Sequence, residues 1–373
     1  MTARVERIAI LGAGPGGLAG AAALARRGFD VALFNRSPER LRAVERAGGI
    51  AIEGDLGDEF VPLSLITTDI REALVGRQLV MCFTPANGQR TTAALAAPHL
   101  EPGTAFVLAT GSAGSLEVAR IFATQGLDVR ESILLGETVT LPQSARMTAP
   151  DRLRIRLPAN VRLAAFPACN SERLYELMSG VIAFRPSPNV LDTGINNVNF
   201  LIHPAPMLLN YAAVERADGF LSIMNEGMTD GVLRCMDALD AEKMALALEL
   251  GLTPASIDDL YRETGSSPAV YREKGEPFGL RDRIWDRYIH EDTPFGTVML
   301  SSIGRQLGVP MPVCDSINTL LSVLEQVDFA AQGRTVETLG IDGMSVAGIQ
   351  HYVQYGERLE SSLPGAAVSS KTT

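Results

Sequence analysis

RIAILGAGPGGLAGAAALARRGF, residues Arg7–Phe29, is the stretch that decides the fold. Five residues with strand character, Arg7 to Leu11, run directly into Gly12, Gly14 and Gly17, and an alanine-rich helix follows. Each glycine has a separate task in such a turn. Gly12 permits the tight bend, Gly14 lets backbone approach a pyrophosphate, and Gly17 removes the side chain that would separate helix from strand. The helix N-terminus then offers free N–H groups and the positive end of its dipole to an anion. A glycine-rich turn alone is weak evidence. Here it lies between a strand and a helix, and a second strand, Val31–Phe34, ends where a ribose contact belongs.

Outward from this turn, Leu79–Phe83, Ala105–Leu108 and Ile133–Leu135 repeat the pattern of short apolar runs bounded by turn residues. Helical stretches such as Pro38–Ala47 and Gly88–Ala97 fall between them, which implies parallel βαβ units. Gly48–Thr68 reads as a short strand pair, and RLRIRL and VRLAAF, between Thr138 and Phe166, as an antiparallel extension of the first domain. Phe184-Arg185-Pro186-Ser187-Pro188-Asn189 punctuates the chain, since two prolines in three positions break a helix. Beyond it, Asn196–Ala213, Asp230–Leu250, Ser256–Glu263, Val298–Leu307 and Cys314–Val327 show apolar residues at three- and four-residue spacing. The expected fold is α/β: an N-terminal Rossmann-type doubly wound parallel sheet over residues 1–185, with a mostly α-helical substrate and catalytic domain over 186–360. Residues 361–373 are small and polar and read as a disordered tail.

Composition narrows the class. Of 373 residues, 46% are hydrophobic, enough for a full core, and the formal net charge of −10 argues against nucleic acid or an anionic membrane as the partner. Cys82, Cys169, Cys235 and Cys314 form no CxxC pair, so they read as buried reduced thiols of a cytoplasmic protein, and no metal site is expected. No apolar run approaches the length of a membrane span.

The second strand ends Phe34-Asn35-Arg36-Ser37, where an NAD-specific site places Asp or Glu. Asn35 would not repel a 2′-phosphate, Arg36 could pair with it and Ser37 could donate to it, so NADP(H) is favoured over NAD(H). Arg40 is a second candidate for that phosphate, and an ordinary surface turn is the competing reading. Thr84-Pro85-Ala86-Asn87 and Ala109-Thr110-Gly111-Ser112 follow strands at their C-terminal ends, where ligands bind in open α/β sheets. Both are expected at the nicotinamide half.

Hydride transfer to C=O or C=N needs a partner group for the proton. Of the four histidines, His203 stands in an apolar helix among several amides, NNVNFLIHP from Asn196 to Pro204, and a satisfied core histidine is the plain reading of it alone. GAGPGG, Gly136-Glu137-Thr138, NNVNFLIHPAPMLLN (Asn196–Asn210), RYIHED (Arg287–Asp292) and GRTVETLGIDGMSVAGI (Gly333–Ile349) together resemble the opine dehydrogenase family of the octopine/nopaline type, over roughly residues 5–350. The resemblance implies reductive condensation of an α-keto acid, such as pyruvate, with the amino group of an amino acid, and a helical domain like the C-terminal part of 6-phosphogluconate dehydrogenase. It further implies that His203 is the proton donor and acceptor, Asp292 the carboxylate that orients it, and Arg287 the guanidinium for a substrate carboxylate. Such an imidazole–carboxylate pair suits proton transfer. For Arg287 a surface ion pair with Glu291 or Asp292 is the alternative. Asn199 and Asn210 stand as cleft contacts or as helix-packing amides, and His290 reads as structural. A homodimer through the apolar faces of the helical half is expected.

A different enzyme class, ketopantoate reductase or β-hydroxyacid dehydrogenase, shares the two-domain plan but relies on a lysine. Only Lys243, Lys274 and Lys371 occur, and Lys243 is the one serious candidate. A non-catalytic NADP-binding regulator would have no reason to carry His203 and Asp292 together.

Overall fold

The computed structural model describes residues 5–157, 160–216, 222–272 and 285–359. The expected tail, 361–373, lies outside the described residues. Twelve strands are present among those described: β1 Arg7–Leu11, β2 Asp30–Phe34, β3 Gly49–Gly54, β4 Glu59–Pro62, β5 Leu65–Thr67, β6 Leu79–Cys82, β7 Ala105–Ala109, β8 Leu134–Thr138, β9 Ser144–Ala149, β10 Arg152–Arg156, β11 Val161–Phe166 and β12 Phe184–Pro186. Eight of them form one sheet in the order β12-β11-β8-β7-β6-β1-β2-β5. From β5 to β8 every neighbouring pair is parallel, and β11 then runs antiparallel to β8. The order reverses at β1, whose neighbours are β2 on one side and β6 on the other, which opens a crevice above their C-terminal ends.

The central strands are apolar on both faces because both are covered. The helix Pro15–Ala25 is buried almost continuously from Gly17 to Leu24. Its small residues allow it to lie between the main sheet and a second sheet, β4-β3-β10-β9, packed with Ile50, Ile52, Val61, Leu153 and Ile155. A helix covered on all sides needs no polar face, which explains the run of alanines. Gly48–Thr68 contains the expected strand pair, β3 and β4, and adds β5 to the main sheet. RLRIRL and VRLAAF do not form one extension. The first is β10 of the second sheet, parallel to β3, and the second is β11 of the main sheet. Alternating exposure suits β10 to a sheet with one wet face, whereas every residue of β11 is buried.

After β12 the chain is helical among the described residues, and its core is continuous with the opposite face of the main sheet. Asp230–Glu249, Ile257–Glu263, Val298–Leu307 and Pro312–Glu325 form near the expected positions, with Ser256 closing a capping box on Asp259. The expected helix Asn196–Ala213 is instead three short ones, Asn199–Ile202, Pro204–Leu209 and Tyr211–Arg216. Pro204 lacks an N–H and clashes with the preceding turn, so the helix breaks at His203. The thiols are free, but Cys169 is exposed and Cys235 half-exposed, so only Cys82 and Cys314 are the buried ones expected. No helix among the described residues is long and apolar enough to cross a membrane.

Candidate active site

The glycine turn has the local geometry its sequence demands. Gly12 has φ +112°, and a Cβ on Gly17 would lie 1.8 Å from the Gly12 carbonyl oxygen. At Gly14 a Cβ would meet nothing within 4 Å, so open space faces the backbone there. The helix begun by Pro15 has no side-chain cap and no acid in its first turn. Bare N–H groups, a positive dipole end and open space fit a dinucleotide pyrophosphate. Asn35 is engaged within the turn: its Oδ1 accepts from the Ala13 N–H (3.0 Å) and its Nδ2 donates to the Ser37 carbonyl (2.9 Å). It therefore fixes the bend between the ends of β1 and β2. Arg36 and Arg40 are exposed and make no ion pair among the described residues, and Ser37 is half-buried beside them.

The break in the helix leaves His203 at a chain bend, 5% exposed, and the Trp285–His290 helix delivers Asp292 just beyond its end, 2% exposed. His203 Nδ1 lies 2.8 Å from Asp292 Oδ2, so Nδ1–H donates to the carboxylate and Nε2 is left for proton exchange. The Tyr288 ring stacks on the imidazole with centroids 3.6 Å apart and 15° between planes. Burial pushes the His203 pKa down. Asp292 opposes that shift and the Arg287 charge reinforces it, and the net direction favours the neutral imidazole. Asp292 also starts a π-helical turn, Thr293–Thr297, of the kind that often marks functional sites.

Arg287 is half exposed. Its guanidinium carbon is 6.0 Å from the Tyr288 ring centroid, and its Nε is 3.4 Å from Glu291 Oε2. The ion pair anticipated as its alternative role is thus formed, yet Arg287 still stands close enough to bear on His203. Asn199, half-buried, sits one turn ahead of His203, and its carbonyl accepts from the His203 N–H at 3.1 Å. Asn210 is a packing residue: its amide donates to the Pro206 and Gly227 carbonyls. His290 contacts Glu325 at 3.1 Å, in the structural role expected. Lys243 is fully buried, with Asp240 (2.8 Å) and the Ala255 carbonyl as its partners rather than His203 or Asp292.

Two contacts bring this pair to the sheet. Glu291 Oε1 accepts from the Ala86 N–H at 3.0 Å, in the loop Thr84-Pro85-Ala86 after β6, and Asn197 Nδ2 donates to Ser112 Oγ at 3.0 Å, in the loop after β7. Two residues here, Glu137 and Arg334, lie in stretches quoted for the resemblance but were given no role by it. Glu137, fully buried, accepts from Ala113 N, Ser115 N, Ser115 Oγ and Thr193 Oγ1, and so holds the β7 loop where Ser112 and Ala113 adopt positive φ. Burial pushes its carboxyl pKa up. Arg334, 0% exposed, donates to Glu117 Oε2 (2.9 Å), Gln89 Oε1 (2.6 Å) and the carbonyls of Gly111 and Ser112. A lone arginine between Gly333 and Thr335 was the signal, but nothing local names its partners.

The model for the NAD/NADP octopine/nopaline dehydrogenase α-helical domain matches residues 186–324, and that for ketopantoate reductase matches 8–160. An opine dehydrogenase of Arthrobacter sp. (strain 1C) is 31% identical over 360 residues, covering 93% of this chain and 98% of its own. Among solved structures, octopine dehydrogenase with NADH and L-arginine superposes with a TM-score of 0.70 at 17% identity, covering 95% of this chain and 99% of that one. Yersinopine dehydrogenase with NADP+ does so at 0.67 and 14%, with the same coverage.

Proposed function

The chain belongs to the opine dehydrogenase family and is an NAD(P)-dependent oxidoreductase; on that premise we propose that it condenses an α-keto acid such as pyruvate with the amino group of an amino acid, using NADPH, to give an N-(carboxyalkyl) amino acid. The observation that carries this reading is the buried His203–Asp292 pair, stacked on Tyr288 and bonded through its neighbours to the loops after β6 and β7. In this reading residues 1–185 hold the dinucleotide, through Gly12, Gly14 and Gly17, with Thr84 and Pro85 at the nicotinamide half. Residues 186–360 supply the groups that meet the substrates.

Neutral His203 takes a proton from the substrate ammonium, and the freed amine attacks the keto carbon to give a carbinolamine. The imidazolium returns the proton to the carbinolamine oxygen, which leaves as water as the C=N bond forms. Asp292 holds the tautomer and stabilises the transient imidazolium. Arg287 grips a substrate carboxylate through its planar fork, and Asn199 adds a polar contact. A dinucleotide held at Gly12, Gly14 and Gly17 would supply the hydride that reduces C=N to the secondary amine. Protons balance: the ammonium's three hydrogens leave two in water and one on the product nitrogen.

Arg36 and Arg40, unpaired among the described residues, support the 2′-phosphate, as does the absence of an acid at Asn35. The reading places the enzyme in the cytoplasm, consistent with four free thiols. It also pairs two copies through the helical half, where Leu320, Val323 and Leu324 expose one stripe of the Pro312–Glu325 helix. Sedimentation of the purified protein tests the dimer.

The activity test is direct. NADPH oxidation is followed with pyruvate alone, with amino acids alone and with both. A requirement for both supports the proposal, while oxidation with keto acid alone establishes a keto-acid reductase instead. A KM for NADH at or below that for NADPH defeats the cofactor preference, and Arg36→Ala should raise the KM for NADPH alone.

A further inference from the structure

A single hydrogen bond leaves an imidazole one freedom. His203 is tied at Nδ1 to Asp292 Oδ2 (2.8 Å), and no second side-chain hydrogen bond holds its ring among the described residues. The ring can still turn about that bond, which swings Nε2 away from a fixed reacting centre. The backbone does not prevent this. His203 stands at the break between Asn199–Ile202 and Pro204–Leu209, with φ −109° and ψ −62°, and not inside a helix whose preceding turn confines the side chain. The Tyr288 ring removes the freedom. It lies on the imidazole face with centroids 3.6 Å apart and 15° between planes, so rotation of either ring drives its atoms into the other. Sequence spacing delivers both constraints together. Tyr288 and Asp292 are four residues apart, and the chain between them stays right-handed: the Glu291 N–H donates to the Arg287 carbonyl at 3.0 Å, and Asp292 has φ −78° and ψ −22°. Positions i and i+4 share a helical face, so ring and carboxylate reach the imidazole from one turn of chain. Ile289, fully buried, anchors that turn in the core.

Stacking has an electrostatic consequence as well. Burial disfavours the imidazolium and Arg287 adds to that cost, while Asp292 opposes both. The electron-rich face of a phenol ring favours a cation held against it, most strongly where water is excluded, and His203 is 5% exposed. We infer that Tyr288 is a positioning residue for proton transfer: its ring fixes the plane of His203, so that Nε2 faces the reacting nitrogen and oxygen, and supports the imidazolium formed between the two transfers. Neither the phenol hydroxyl nor contact with substrate is needed for this, so a phenyl ring in the same place serves equally. The role rests on His203 as the proton carrier of the proposed condensation.

Variants of the full-length protein separate the ring from the hydroxyl and from mere bulk. Tyr288→Phe keeps the stacked face, whereas Tyr288→Leu fills the space without one. NADPH oxidation is followed with pyruvate and the L-amino acid that sustains the fastest wild-type rate. Tyr288→Leu should lose at least about tenfold in kcat with the KM for pyruvate little changed, and Tyr288→Phe should keep kcat within about twofold. The ring itself is read by NMR with 13C-labelled histidine, the His203 signal being the one missing from His203→Ala. Its C–H protons lie over the Tyr288 face and should resonate upfield in the wild type and in Tyr288→Phe, but not in Tyr288→Leu. Its titration, on which Asp292 and Arg287 also act, should move roughly 0.5 pH units lower in Tyr288→Leu and stay in place in Tyr288→Phe. Tyr288→Met serves if the leucine variant does not fold, and the upfield wild-type signal needs no variant at all. A wild-type His203 signal without that displacement overturns the placement. So does Tyr288→Leu with unchanged kcat and titration, or Tyr288→Phe as impaired as Tyr288→Leu, which assigns the role to the hydroxyl. A loss confined to KM makes Tyr288 a wall of the substrate site and overturns it equally. The two claims fail separately. A wild type that performs no condensation defeats the proposed function, and the His203 spectra still decide the placement; a wild type that condenses beside an unimpaired Tyr288→Leu defeats the placement alone.

Discussion

His203 owes its character to opposing neighbours. Burial depresses its pKa below the ordinary 6.5, Asp292 raises it and Arg287 lowers it further. In the condensation direction the neutral form starts the cycle, so kcat/KM for the amine should fall on the acid side with a limb below pH 6.5. Asp292→Asn should move that limb to lower pH and Arg287→Ala to higher pH; shifts of one sign in a pH–rate series contradict the assignment. Stability follows the same sign. The unfolded chain binds more protons than the native one below 6.5, so the contribution of His203 is complete above that pH and lost as pH falls through the native value. His203→Ala should cost about 10²–10⁴ in kcat, the usual range for a positioned acid–base group, and single-turnover rates measure it. Asp292 and Arg287 were legible in RYIHED only through resemblance. Tyr288 was not singled out at all, because its stacking on a ring 85 positions earlier leaves no mark in local sequence.

At the scale of elements, the glycine turn separates folding from binding. A Cβ at Gly17 collides with the Gly12 carbonyl, whereas one at Gly14 meets open space at φ −75°. Gly17→Ala should therefore destabilise the protein by about 1–3 kcal/mol, as overpacking does. Gly14→Ala should leave the Tm of the free protein unchanged and weaken dinucleotide binding, which thermal shifts with and without NADP+ would show. The turn was readable because its requirements are local: a bend, a close approach and a free helix end within a few residues. The broken helix at His203 was readable only in part. Pro204 and Pro206 stand in the sequence, yet their apolar spacing fits one continuous helix, and only packing around the bend settles where the imidazole goes.

At the scale of the whole molecule, Arg334 joins the two halves. It is buried against Glu117 and Gln89 and donates to the carbonyls of the β7 loop, while its own N–H donates to the Pro294 carbonyl two residues beyond Asp292. Arg334→Met should cost about 3–5 kcal/mol in urea unfolding, because Glu117 would keep a buried charge with only Arg90 to face it. A loss under about 1 kcal/mol would show that Arg90 alone satisfies that carboxylate. The sequence by itself determined the strand–turn–helix that holds a dinucleotide, the alternation that builds a parallel sheet and the helical texture after Pro188, since each follows from short-range sterics and periodicity. Only the tertiary structure decided that β10 and β11 serve different sheets, that Glu291 reaches Ala86, that Glu137 shapes the β7 loop and that Arg334 meets residues 89 to 117. Those contacts close loops of tens to hundreds of residues, and a long-range partner is selected by the packed core that brings it near, not by the residues beside it in the chain.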